Sequence, residues 1–426
     1  MKDFNYWKNL YESEKLEEFS SDNIGLLWLK TKSIIRKELI ANFLKVNQIT
    51  LQETSLAKQF VELFDLLCLH ISKSQTILDE FIKSENQEQI KGLDTKQLVS
   101  ELYKLKNFEW GGDYQNSLDK YLVSRYVKVH KSLDTLMSKF ETEINVAVQG
   151  YVLNSWYNHW SSILIEHIFK SHKAVLPTVG QIKGVDFFIN DIPFDLKVTY
   201  LPIEYMKLIR KQTFITQAHD VAIHYVKGQS LDFEKDSDKS KELKNIRNTL
   251  SKQKDKKDEL KRVLKSIKES SDKNTELKYL KAQAKKVKIT FDKDADVKTI
   301  LYEITEKMKD RNDKFCSDVL ETLKKDNLEM LKEIRDNPEI LATWLYENQG
   351  EMRFGSENRL FLVLVDTDDF NNSWKLKRNL DLLRPTILNY LDNFKNKKIE
   401  DLEIMFGYKG KSQTFTALSD IIFVVK

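Results

Sequence analysis

A mixed β-sheet flanked by helices, with a helical N-terminal region and a long helical insertion, is the architecture this 426-residue sequence predicts. Three observations carry that expectation. Residues 184–198 alternate in polarity around a turn. Two later runs, Asn358–Asp366 and Asp420–Val425, are almost continuously apolar, as strands buried on both faces are. Between them and the first stretch, no glycine stands between Gly228 and Gly350 and no proline between Pro202 and Pro338, so a long middle segment lacks the main helix breakers.

Residues 1–140 read as a helical domain, because Leu, Ile and Phe recur at three- and four-residue spacing. Trp110-Gly111-Gly112-Asp113 marks a sharp loop there, and no chemistry-bearing motif stands out. Residues 141–227 are expected to open the catalytic core. Its first element is an amphipathic helix over Asn158–Phe169, with Ile165, Ile168 and Phe169 on the apolar stripe and Glu166 off it.

A β-hairpin follows. Successive strand residues face opposite sides, so Phe194, Leu196 and Val198 enter a core while Asp195 and Lys197 project together on the other face. Asn190-Asp191-Ile192-Pro193 supplies the turn, since Asn and Asp tolerate positive φ. The return brings Asp186 toward Asp195. Two carboxylates and an ammonium suit metal-assisted phosphodiester chemistry: Mg²⁺ is commonly held by one or two carboxylates plus substrate phosphate, and a nearby amine can orient the attacking water.

The order Asp186, eight residues, Asp195-Leu196-Lys197 resembles the PD-(D/E)xK nuclease superfamily, over residues 150–227 and, less closely, 340–426. Val185 stands where that pattern has proline, and no Gln-x-x-x-Tyr follows downstream, which argues against the exonuclease-like branch. The resemblance implies a restriction-endonuclease-like core, in which Asp186 and Asp195 bind Mg²⁺ (or Mn²⁺), Lys197 positions water, and Glu166 assists the metal. It further implies a DNA endonuclease similar to type II restriction enzymes or anti-phage nucleases, with double-stranded DNA as substrate. A homodimer would match the two strands, and a companion methyltransferase is compatible with such an enzyme. A non-catalytic DNA- or protein-binding module on the same fold is the competing reading.

The net charge of +4 is unevenly spread. Lys241–Lys288 holds 17 Lys or Arg against 7 Asp or Glu, so the remainder is acidic by about 6. Residues 228–338 are therefore read as a basic helical insertion, and Leu243, Ile246, Leu250, Leu260, Leu264 and Ile267 fall in one heptad register, as in a helical hairpin or short coiled coil. Residues 339–426 complete the core, with a basic amphipathic helix over Ser373–Leu383 between the two buried strands. Lys375, Lys377 and Arg378 on that helix, and Arg353 and Arg359 before and within the first strand, are the expected contacts to DNA phosphates.

The remaining signals are bland. His159, His167 and His172 do not align on one helical face, and Tyr151, Trp156, Tyr157 and Trp160 have the spacing of core aromatics. Cys68 and Cys316 are too few for a disulfide framework or a cysteine zinc site. No apolar run could span a bilayer, and Met1–Trp7 lacks the pattern of a signal peptide, so a cytoplasmic location without membrane partners is expected.

Overall fold

The computed structural model describes all residues except 1, 14, 107–117, 254–257, 271–280, 283–284, 286–313, 350–354, 356, 398 and 409. The Trp110–Asp113 loop, Arg353 and much of the basic stretch that ends at Lys288 lie outside the described residues. The described part is a mixed α/β protein with a six-stranded sheet and sixteen α-helices. It divides into two compact units, residues 1–200 with 338–426, and residues 201–337.

In the first unit, α1 (Phe4–Glu12), α2 (Glu17–Ser20), α3 (Asn23–Ser33), α4 (Lys37–Asn47), α5 (Leu56–Cys68), α6 (Ile71–Lys91) and α7 (Thr95–Lys104) form the helical N-terminal region. Asp3 and Asp22 start α1 and α3 by accepting the exposed N–H groups of Tyr6, Ile24 and Gly25. Next come α8 (Leu118–Leu122) and α9 (Leu133–Met137), each followed by a π-helical turn, then the long α10 (Asn145–Lys170).

The sheet strands are β1 (Val175–Ile182), β2 (Val185–Ile189), β3 (Ile192–Tyr200), β4 (Arg359–Val365), β5 (Glu400–Tyr408) and β6 (Lys411–Val425), in the order β1-β2-β3-β4-β6-β5. The β1–β2, β2–β3 and β5–β6 pairs are antiparallel, whereas β3–β4 and β4–β6 are parallel. The expected turn forms at Asn190 and Asp191, with φ of 48° and 68°, and every residue of β4 is buried, as its unbroken apolar run requires.

Two cores sandwich the sheet. One packs Ile165, Ile168 and Phe169 of α10 against Phe187, Phe194, Leu196, Leu360 and Leu362, and is closed by Leu383, Ile387 and Leu391 of a late helix. The other joins Trp7, Trp28, Phe43, Phe64 and Ile82 to Leu176, Val179, Val185 and Phe188 of the hairpin. The N-terminal helices cover an apolar sheet surface that would otherwise face water. Gly180 permits the close approach, since a Cβ there would stand 2.1 Å from the Ser33 carbonyl oxygen. Lys30, 1% exposed, ties the two regions by bridging Asp79 and the turn residue Asp191, each at 2.9 Å.

The second unit contains α11 (Ile203–Gly228), α12 (Lys239–Ser251), α13 (Asp258–Ser270) and α14 (Lys314–Asp336). Helix α11 shares a core with α12 and α13 through Ala218, Ala222, Val226, Leu243, Ile246, Leu250, Leu260 and Ile267. The heptad residues thus pack in a three-helix cluster, and this compact unit begins at residue 201, with α11 burying its apolar side on α12 and α13. The first unit resumes with α15 (Pro338–Glu347). After β4 the predicted Ser373–Leu383 helix is two elements: a 3₁₀ segment over Phe370–Arg378, then α16 (Leu380–Asn393), whose first turn is capped by Asn379.

Candidate functional site

The hairpin ladder between β2 and β3 runs from Ile189↔Ile192 to Phe187↔Phe194. One residue further along it is replaced by a side chain: the Leu196 N–H donates to Asp186 Oδ2 at 2.8 Å. From Asp195 onward β3 pairs along its other edge with β4, beginning at Asp195↔Arg359, where the Asp195 N–H donates to the Asn358 carbonyl at 2.9 Å. Asp186 and Asp195 therefore converge where β3 parts from β2. Asn358 secures this row, giving its amide to Pro193 O at 3.2 Å and accepting the Leu418 N–H at 3.1 Å.

The Asp195 carboxylate is buried. Lys197 Nζ reaches it at 2.9 Å from Oδ1 and 2.7 Å from Oδ2, and Arg359 Nε lies 3.3 Å from Oδ2. Neither contact to Oδ2 has hydrogen-bond geometry, so a buried carboxylate oxygen and the Arg359 Nε both lack a hydrogen-bond partner. Burial pushes the Asp195 carboxyl above the usual carboxylate range, against the pull of Lys197. Asp186 is pushed up to about 6, first by burial and then by the Asp195 charge, with the Leu196 N–H acting in the opposite direction. Glu166 of α10 adds to that rise through its charge while its own carboxylate pairs with Lys170 at 2.9 Å.

A buried carboxylate with an oxygen lacking a hydrogen bond, and a half-buried one whose proton affinity it raises, form a donor set that a hard divalent cation would relieve. Asp186 and Asp195 fit that role. Among the described residues no group of three His, Cys, Asp or Glu side chains stands together around one point. Glu166 thus reaches this pair through its field and not as a third member of a cluster.

The basic residues expected on DNA lie elsewhere. Arg359 is 3% exposed, donates to Glu357 at 2.8 Å and to Gln349 at 2.5 Å, and stacks on Tyr346 with its guanidinium 4.9 Å from the ring centre. Lys377 is buried and donates to Asn158 at 2.8 Å. Arg378 is buried as well, giving hydrogen bonds to the Leu102 and Leu105 carbonyls at 2.9 and 2.6 Å and stacking on Tyr103 and Trp374. Each of these three expected phosphate contacts is a buried cation occupied by protein acceptors. Lys375 is half-buried over Trp374. The sequence reading missed Asn358, Glu357, Lys30 and Tyr346; a polar Glu-Asn-Arg step entering an apolar strand was their one visible trace.

No protein-family model, curated protein or solved structure matches this chain. Among the described residues no helix is long and apolar enough to cross a membrane.

Proposed function

We propose that this protein is a metal-dependent endonuclease that hydrolyses DNA phosphodiester bonds, a restriction-endonuclease-like enzyme similar to type II restriction enzymes or anti-phage nucleases. The observation that carries the reading is the convergence of Asp186 and Asp195 where β3 leaves β2, with Lys197 on the same strand face. Mg²⁺ or Mn²⁺ held by these two carboxylates would supply charge neutralisation at the phosphate and a more acidic water. Asp186 is kept in place by the Leu196 N–H, and Asp195 by its rigid strand pairing. Lys197, whose side chain is 45% exposed, is free to swing from Asp195 toward solvent and hold the attacking water through its ammonium protons. Glu166 strengthens the negative field at Asp186 and so favours a cation there. Double-stranded DNA is the proposed substrate, supported by the basic balance of Lys241–Lys288, and a homodimer the proposed assembly.

A second reading, a non-catalytic binding module on this fold, rests on Arg359. A guanidinium 3.3 Å from Asp195 Oδ2 already offsets part of the charge that a metal would otherwise balance. The two separate on Asp195→Ala. The enzyme reading expects cleavage of duplex DNA in Mg²⁺ to fall by about 10³-fold or more, with DNA binding retained. A wild-type protein that binds duplex DNA and leaves it intact in both Mg²⁺ and Mn²⁺ would leave only the second reading.

A further inference from the structure

Resting on the reading above, we propose that Arg359 and Glu357 are the positioning pair of the site, fixed charges of opposite sign that set how tightly Asp186 and Asp195 take a divalent cation. They act through Asp195.

Asp195 meets two cations of different kinds. The Lys197 side chain is 45% exposed and can swing away. Arg359 cannot. Its main chain pairs with Asp195 on one side and Ser419 on the other, and the Ser419 hydroxyl donates to its carbonyl at 3.0 Å. Its guanidinium is committed to Gln349, to Glu357 at 2.8 Å and to the buried ring of Tyr346, which leaves Nε facing Asp195 Oδ2 at 3.3 Å. Glu357 is held in turn. The Tyr346 hydroxyl donates to its carbonyl at 2.9 Å, and Gly355 leaves the space its carboxylate fills, since a Cβ there would lie 1.9 Å from Oε2. One fixed guanidinium thus joins a carboxylate of the site to a second acid beside it.

The two residues push the proton affinity of Asp195 in opposite directions, Glu357 up and Arg359 down. A divalent cation feels the same fields, so Glu357 favours it and Arg359 opposes it. The ionised groups acting on the two aspartates are Glu166, Glu357, Lys170, Lys197 and Arg359. With the aspartates they make four acids and three bases, a net charge of −1. A divalent ion brings this to +1, which the single negative charge of a phosphodiester balances. Without Arg359 the loaded site would be neutral, holding its ion more tightly and an anionic diester less well.

The Mn²⁺ affinity of the full chain, read from the electron paramagnetic resonance of the free ion at pH 8, where Asp186 is ionised, tests the pair. Arg359→Met is expected to tighten binding by about tenfold and Glu357→Gln to weaken it by about as much. The double variant removes both partners of the ion pair together, which spares the fold, and is expected within about threefold of wild type. Arg359→Lys, which keeps the charge, is expected in the same range. If Arg359→Met alone does not fold, the step from Glu357→Gln to the double variant reports Arg359 with the same tightening. Diethyl phosphate should tighten wild-type Mn²⁺ binding by about threefold or more and that of Arg359→Met by less than half as much, with uncharged triethyl phosphate inert in both. Affinities that do not move, affinities that fall in both single variants as in a loosened site, or a diester effect that Arg359→Met keeps in full, overturn the inference. Cleavage assays keep the two ideas apart. Wild type that leaves duplex DNA intact while the single variants shift Mn²⁺ affinity in opposite directions sinks the nuclease reading alone. Wild type that cleaves, with Asp195→Ala inactive and the Mn²⁺ affinities unmoved, sinks the charge pair alone.

Discussion

The charge cluster around Arg378 and Lys377 and the one around Asp195, both in the first unit, are built differently. Around Arg378 and Lys377 each cation meets neutral acceptors: two main-chain carbonyls and two aromatic faces for Arg378, the Asn158 amide oxygen for Lys377. Around Asp195 the charges face one another, two acids side by side with Lys197 and Arg359 pressing on one of them, and a carboxylate oxygen left without a hydrogen bond. The first arrangement locks an element in place, with Arg378 Nη1 forked to two carbonyls and the Lys377 ammonium on one amide oxygen. The second sets two acids of raised proton affinity against two cations, an arrangement whose balance a ligand can shift.

The largest expected effect tests the locking role. Arg378→Ala removes the side-chain donor from the Leu102 and Leu105 carbonyls, of which Leu102 keeps the Leu105 N–H, and strips the packing between Tyr103 and Trp374, so it should cost about 3 kcal/mol in urea unfolding. Arg378→Lys should recover less than half of that, because an ammonium cannot fork to two carbonyls while stacking. A loss below about 1 kcal/mol for the alanine variant would return Arg378 to the surface role the sequence suggested.

A smaller effect tests the acid pair. The Asp186 carboxyl sits at about 6 in the folded protein against 3.8 ordinarily. Between those values the unfolded chain has released its proton while the folded chain keeps it, so metal-free wild type should lose stability as pH rises from about 4 to about 6. Asp186→Asn removes the titration and should be more stable than wild type above pH 7 by on the order of 2 kcal/mol, with the gap closing when Mg²⁺ is added. A stability difference that does not change between pH 4 and 8 would show that Asp186 ionises as in water.

The smallest effect concerns Lys377, which burial pulls down to about 8. Lys377→Met should be within about 1.5 kcal/mol of wild type at pH 7, because a well-packed apolar isostere replaces a desolvated charge. Wild type should then gain on the variant as pH rises from about 8 to about 10, where only the unfolded lysine is still charged. A flat comparison over that range would mean the ammonium is solvated, and the contrast between the two clusters would weaken.

The legible parts of the chain were those whose meaning is local. The Asn190-Asp191 turn, the period-two pattern of Phe194, Leu196 and Val198, and the unbroken apolar run of β4 each constrain the backbone within a few residues, and the structure follows them. The burial of Lys377 and Arg378 was illegible because composition reports charge and not direction. Whether such residues face water depends on Leu102, Leu105, Tyr103 and Asn158, more than 200 positions earlier in the chain. The packing of the N-terminal helices was illegible for a related reason: helical periodicity identifies an apolar stripe without saying that its partner is the outer face of β1 and β2.

The sequence by itself determined the hairpin, its turn and the face on which Asp195 and Lys197 project, since strand alternation and turn chemistry act between near neighbours. Tertiary structure alone decided that β3 exchanges β2 for β4 at Asp195, that Arg359 and Asn358 enter that row, and that the β5–β6 hairpin departs from the same end of the sheet. Those are pairings between segments separated by the whole insertion, and no local propensity records which edge a strand will find.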